Sequence, residues 1–419
     1  MRQSLDLRIA QIILIVVPAF LIFGYNQAGA GPLATLPSWV QVFPEIDTIH
    51  AKGALEAKNS TGKGAVIAAF QIGALMGALS CIFLSDRLGR RKTIFIGSIL
   101  TTIGQLLQVS AYSLIQFTVG RVVLGIGTGQ FSVWVSVWQS ECSSAKSRGQ
   151  HVIAAGIFMC LGYALCNWID FAFSKLPSSN TGQWRAPLAL SLFPSLVILV
   201  SVFFLPVSPR CSCGDEAIQS EIAGIEQSLE ATAQSKSTIR EMFSKTDDER
   251  LLYRFALCIV LQFFQQMCGG NLISVYASTI FEQNLNMSAS LSKILASCAL
   301  TWKFLCCFIS FFAIDRFGRR ALFMISRAGM AVCMAAMAVT TSFGAESKHA
   351  SMASVVFIFL FNLFYPIGFL GGNFLYCTEV APVRLPVAMA SISTASHWLW
   401  NFAVVMVTPV ALDTIGYQY

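Results

Sequence analysis

The sequence predicts an all-α membrane protein built from two related halves, and three observations carry that expectation. First, 55% of the 419 residues are hydrophobic and only 12% are charged. Soluble domains carry about 25% charged residues, so much of this surface must face lipid. Second, apolar stretches of the ~20 residues needed to cross a bilayer recur along the chain. Third, the phrase Ser85-Asp86-Arg87-Leu88-Gly89-Arg90-Arg91-Lys92 returns as Ile314-Asp315-Arg316-Phe317-Gly318-Arg319-Arg320. Each copy sits between two long apolar stretches. Duplicated halves with a substrate held between them are a common transporter design.

Hydropathy places eleven spans near 9–29, 65–85, 94–113, 115–139, 151–172, 187–206, 255–280, 292–314, 321–343, 352–378 and 387–412. Six precede a polar segment, 207–252, which reads as a linker with weak helical patterning from Asp215 to Glu230. The expected organisation is an N-terminal half (1–206), the linker (207–252) and a C-terminal half (253–419). Arg and Lys cluster at 87–92, 146–148, 236–254 and 316–320, in alternate loops. The positive-inside rule makes those loops and the N-terminus cytoplasmic. The sequons Asn59-Ser60-Thr61 and Asn286-Met287-Ser288 then fall in loops expected outside. Topology accounts for the +7 formal charge, so no nucleic-acid partner is required. Met1–Ala10 carries charges of both signs and no small-residue cleavage site. The first span therefore reads as a spanning helix rather than a signal peptide.

The halves match beyond the repeated phrase. Glu141 ends span 4 and is followed by Arg148; Glu379 ends span 10 and is followed by Arg384. This is a parallel duplication, the relation between the halves of the major facilitator fold. Gly73-x-x-x-Gly77 and Gly125-x-Gly127-x-Gly129 lie inside spans. No strand or βαβ unit surrounds them, so close helix packing explains them better than dinucleotide binding. The thirteen cysteines lack disulfide or zinc spacing and read as small buried hydrophobes. No Walker loop is present. His50, His151, His349 and His397 are isolated, so no nucleophile–base set, metal site or cofactor is expected.

An ordered set of motifs narrows the reading. Phe23-Gly24-Tyr25-Asn26-Gln27, Gly120-Arg121, Trp184-Arg185-x-Pro187 and Pro206-Val207-Ser208-Pro209-Arg210 run through the first half into the linker, and each half carries one Asp-Arg-x-Gly-Arg-Arg loop. Gln262-x-x-Gln265-Gln266-x-x-Gly269-x-Asn271 and Asn373-Phe374-Leu375-Tyr376-x-x-Glu379 follow. The chain resembles the fungal sugar porters of the major facilitator superfamily. That resemblance implies two six-helix halves, of which the twelfth helix is missing here, and transport of a small neutral sugar, a hexose first, by alternating access. It also implies a multi-pass monomer in the plasma-membrane bilayer. Gln265, Gln266 and Asn271 would bind sugar hydroxyls, with Gln262, Tyr276, Phe374 and Asn401 close by. Asp86, Arg87, Arg90, Arg91, Glu141 and Arg148 would form a cytoplasmic latch with Asp315, Arg316, Arg319, Arg320, Glu379 and Arg384. The chain departs from the family where Phe374 replaces a usual Trp, His397 a frequent Asn, and Val207 an acid.

The residues themselves support much of this. Four amides near one end of an apolar span are expensive unless they face a wet cavity or partners. Gln262 and Gln266 share one helical face, with Gln265 adjacent. Amides both donate and accept, which suits neutral hydroxyl-rich ligands; interhelical polar glue is the alternative. Carboxylate and guanidinium groups at the mouths of helices can form charge-assisted bonds, or serve only as positive-inside anchors. Proton-coupled relatives place Asp where Asn26 stands, near Arg121. An Asn cannot titrate, so downhill uniport is expected. Lys303, well inside span 8, and His397 are rival proton carriers. Proton symport of a disaccharide, pentose, polyol or quinate stays open, as do a non-transporting sensor and an inactive remnant. The phrase Ile415-Gly416-Tyr417 normally leads into helix 12, so a truncated gene model or fragment is expected before a genuine short variant.

Overall fold

The computed structural model describes residues 10–48, 53–142, 148–177, 180–204, 251–285, 287–342, 348–370 and 386–414, with Cys377 and Val380. Among these residues the secondary structure is helical, with no strand. In chain order the long helices are α1 (Ile12–Leu33), α2 (Leu55–Leu84), α3 (Arg91–Val109), α4 (Leu114–Cys142), α5 (Ile153–Phe173), α6 (Gly182–Ser201), α7 (Leu252–Glu282), α8 (Ala289–Ile314), α9 (Arg320–Ser342), α10 (His349–Leu370) and α11 (Val387–Leu412). Ten of them are long and apolar enough to cross a membrane. The other, α4, is 29 residues long but carries Arg121, Gln130 and Gln139, all buried among its neighbours. The linker expected at 207–252 lies outside the described residues except for Leu251 and Leu252, which open α7.

The repeated phrase has a repeated geometry. Helix runs from Ala54 to Val109 with a single non-helical residue, Gly89, at φ 72° and ψ 167°. The turn from α8 to α9 places Gly318 at φ 76° and ψ 157°. Nothing lies within 4 Å of where either glycine's Cβ would be. Torsion rather than space therefore demands glycine, because side-chain-bearing residues scarcely occupy this region.

Within the N-terminal half, small residues let backbones touch. A Cβ at Gly73 would lie 2.1 Å from Val122 O, and one at Gly125 2.2 Å from Phe70 O. The glycine motifs of α2 and α4 are thus one crossing, as expected of small-residue packing in lipid. Gly24 of α1 and Gly162 of α5 form a second, with Met159 O and Leu21 O in the way of any side chain. Ten described cysteines are free and eight of these are buried, consistent with a packing role.

Two expectations about this half need correction. Helix α2 starts ten residues earlier than hydropathy placed it, because the polar turn from Ala54 to Lys63 continues the helix. Asn59 is therefore not in an outer loop. It is buried in that helix, and its amide donates to Asp47 O at 2.7 Å. The second sequon residue, Asn286, lies outside the described residues.

The halves meet along α1–α7, α2–α11 and α5–α8. At the end remote from the repeated phrase, a Cβ on Gly31 would be 2.7 Å from Val275 O, and one on Gly64 2.8 Å from Met406 O. Trp168 Nε1 donates to Thr301 Oγ1 at 2.9 Å and Lys175 Nζ to Ser290 Oγ at 3.1 Å. At the repeat-bearing end Ile153 of α5 packs with Ile314 of α8 and Leu322 of α9. Among the described residues the halves thus touch at both ends.

Candidate functional site

The backbone of α7 breaks where its polar residues gather. Gly269 is left-handed, at φ 80°, and separates a helix ending at Met267 from one opening at Gly270. On a continuous helix Gln266 and Asn271, five positions apart, would point ~140° away from each other. The break turns Asn271 back so that its Nδ2 donates to Gln266 Oε1. The single-face argument from sequence thus holds for Gln262 and Gln266 but not beyond Gly269. Broken helices of this kind line substrate sites in many transporters.

Helix α11 supplies the opposite wall at four-residue spacing. Ser393 accepts from Gln262 Nε2 at 3.2 Å. His397 is one turn on: its Nδ1 lies 2.9 Å from Gln266 Nε2 and 3.2 Å from the side-chain oxygens of both Gln262 and Gln265. A further turn brings Asn401, fully buried, with neither amide atom hydrogen-bonded. Beyond it Val405 O accepts from Tyr276 OH at 3.1 Å. Gln265 Nε2 reaches across to Phe369 O of α10 at 3.2 Å. So the structure brings Gln262, Gln265, Gln266, Asn271, Tyr276 and Asn401 together, with His397 at the hub. Phe374 lies outside the described residues. His397 was noticed in the sequence as a departure and as a rival proton carrier; its central place depends on the α7–α11 packing.

The N-terminal half closes the site with aromatic groups and amides. Phe23 packs on Trp398 at 4.9 Å between ring centroids and on His397 at 6.5 Å. Trp398 Nε1 donates to Ser132 Oγ of α4 at 3.4 Å, across the two halves. Tyr163 OH donates to Gln27 Oε1 at 2.8 Å, and Gln27 Nε2 has no partner. Buried amides that remain unpaired are costly, and Gln27 Nε2 and both amide atoms of Asn401 are such groups.

Asn26 and Arg121 meet differently from the sequence reading. The Asn26 side chain donates to its own helix, Ile22 O, at 3.0 Å. Arg121 holds backbone instead: Asn26 O at 3.0 Å and Ile67 O at 3.1 Å, with its guanidinium 4.9 Å above the Phe70 ring. Arg121 therefore ties α1, α2 and α4 without needing the residue-26 side chain. Lys303 is fully buried in α8 and donates to Ser274 Oγ at 2.7 Å.

Sequence reasoning missed one acid. Asp170 of α5 is buried with Oδ1 unpaired, and Cys166 Sγ lies 3.6 Å from Oδ2. It shares a small pocket with Lys293 of α8 and Ser278 of α7. The signal was available, since a lone carboxylate in an apolar span is a functional candidate by default.

For the expected latch, Asp86, Arg87, Arg90, Glu141, Arg148, Asp315 and Arg319 have side chains outside the described part, and Glu379 and Arg384 lie outside it altogether. Arg91 is engaged elsewhere, donating to Val202 O at 2.8 Å and to Phe203 O. It thereby satisfies terminal carbonyls of α6. Arg316 and Arg320 are exposed.

The model of the family described as "Sugar (and other) transporter" matches residues 12–419. The chain belongs to that sugar transporter family. It is 31% identical to the sugar transporter STL1 of Saccharomyces cerevisiae, over 95% of this chain and 73% of that one. It is 32% identical to the major facilitator superfamily transporter mfsA of Aspergillus fumigatus, over 94% and 76% of the two chains. Among solved structures, the proton:xylose symporter XylE bound to 6-bromo-6-deoxy-D-glucose superposes with a TM-score of 0.82 at 20% identity, covering 99% of this chain and 90% of that one. The fold is thus the major facilitator fold, and this sugar transporter is a multi-pass membrane protein.

Proposed function

We propose that the protein carries a hexose across the plasma membrane by alternating access, downhill and without a coupled ion. The N-terminus and the Asp-Arg-x-Gly-Arg-Arg loops face the cytoplasm in this reading. Asn401 is the observation that carries it. Its amide is fully buried and wholly unpaired in a row where its neighbours on α11 are paired. A ligand with several hydroxyls satisfies such an amide, together with Gln27 Nε2, better than an ion does. Asn26 supports uniport: its amide is bonded within α1 and has no acidic proton to exchange.

A second reading, proton-coupled transport, is favoured by Asp170, a buried carboxyl between the halves. Uptake of labelled glucose into proteoliposomes, with and without an imposed pH gradient, decides between them. Downhill equilibration unaffected by the gradient is expected. Proton-driven accumulation above the outside concentration sinks uniport, and absence of saturable uptake of any sugar sinks transport.

A further inference from the structure

Lys303 has no exposed surface, and its surroundings are unusual for a cation. Its ammonium sits 4.4 Å from the Tyr365 ring centroid and 5.2 Å from that of Tyr163. Its one hydrogen bond goes to Ser274 Oγ at 2.7 Å. Ser274 directs its own hydroxyl proton to Gly270 O at 2.6 Å, so the serine acts toward the lysine purely as an acceptor. The remaining ionisable neighbours are the thiols of Cys160, Cys268 and Cys307. Among the described residues no carboxylate forms an ion pair with Nζ. An ammonium offers three donors, and here one is used. Burying a charge without a counter-charge is strongly unfavourable, and aromatic faces compensate only part of that cost.

The cage is continuous with the substrate site. Ser274 lies one turn beyond Asn271 on the same helix segment. The Tyr365 ring packs against Gly270, where any Cβ would be 2.1 Å from it. Tyr163 belongs to the N-terminal half and is the residue that donates to Gln27. The ammonium therefore sits beside the amide cluster and touches both halves, through Tyr163 of the N-terminal half and Tyr365 of the C-terminal half.

We propose that Lys303 is the anion-recognising residue of this site and that, beyond a hexose, the site takes a polyhydroxylated carboxylate, a sugar acid, and holds it more tightly. The amides of Gln265, Gln266, Asn271 and Asn401 take its hydroxyls, and its carboxylate closes the ion pair that Nζ lacks. A neutral hexose fills the hydroxyl positions but leaves the ammonium uncompensated. The proposal rests on the reading of the amide cluster as the substrate site.

The test uses the full chain in proteoliposomes with the membrane potential clamped. Uptake of labelled glucose and of labelled glucuronate is measured, with each competing against the other. Glucuronate is expected to half-saturate at least tenfold lower than glucose. Lys303→Gln should weaken glucuronate at least tenfold more than glucose, while Lys303→Arg retains the preference. Equal or weaker affinity for glucuronate in the unmodified protein overturns the proposal alone, whether or not any variant folds. An equal loss for both substrates in Lys303→Gln also overturns it. Entry of neither compound overturns the transport reading and the proposal with it.

Discussion

At the scale of single residues, the polar groups of the site divide into those already paired and those held open. Gln262, Gln266 and His397 bond to one another, which is the interhelical glue that the sequence offered as the alternative to a ligand role for the glutamines. Asn401 is the open one. A buried unpaired amide costs about 1–3 kcal/mol, so Asn401→Leu should stabilise the sugar-free protein while removing a ligand contact. The expected outcome is a melting temperature in detergent raised by a few degrees, with sugar uptake lowered at least tenfold. A fall in both would show that Asn401 has a structural partner. Tyr276→Phe removes the bond to Val405 O, a net contribution of about 1 kcal/mol. Uptake should drop less than tenfold, read as a change in half-saturation. Asp170 was legible as a lone acid and was passed over. Arg91 was legible as part of the repeat, yet its bonds to α6 depend on a contact 111 positions away that no local pattern encodes.

At the scale of elements, hydropathy identified every long helix because lipid imposes one requirement on all of them, a span with its backbone bonds satisfied internally. It failed where a helix is polar for reasons of packing. The first turns of α2 read as loop because Lys58, Asn59 and Lys63 are polar, although Asn59 and Lys63 are buried. The break in α7 was also invisible to a periodicity argument, which assumes a continuous helix; the Gly269-Gly270 pair was the only clue. Gly269→Ala tests what that break does. A left-handed Ala costs roughly 1–2 kcal/mol, and relaxing it would rotate Asn271 away from Gln266. Sugar affinity should fall at least tenfold, more than the loss of thermal stability explains. Gly89 and Gly318 share one conformation that only glycine adopts readily. Alanine at either position should therefore lower the melting temperature by similar amounts, an equality that unrelated turns would not show.

At the scale of the whole molecule, alternating access requires the contacts at the two ends to break in turn. At the end away from the repeats these are backbone approaches made possible by glycine: Gly31 against Val275 O and Gly64 against Met406 O. A larger side chain at either site leaves each half intact and only prevents the halves from meeting. Gly31→Leu or Gly64→Leu should hold that end apart. In oriented vesicles such a variant still binds sugar from that side, because the amide row on α7 and α11 lies within one half. It cannot close behind the ligand, so net uptake falls at least tenfold while binding, measured by quenching of intrinsic tryptophan fluorescence, persists. Trp398, packed against Phe23 across the interface, is the natural reporter. Its emission should shift toward that of a solvent-exposed indole in the wedged variants. Preserved net uptake in both would mean that the halves do not separate at this end during transport, and a rocking mechanism about the amide site would be untenable.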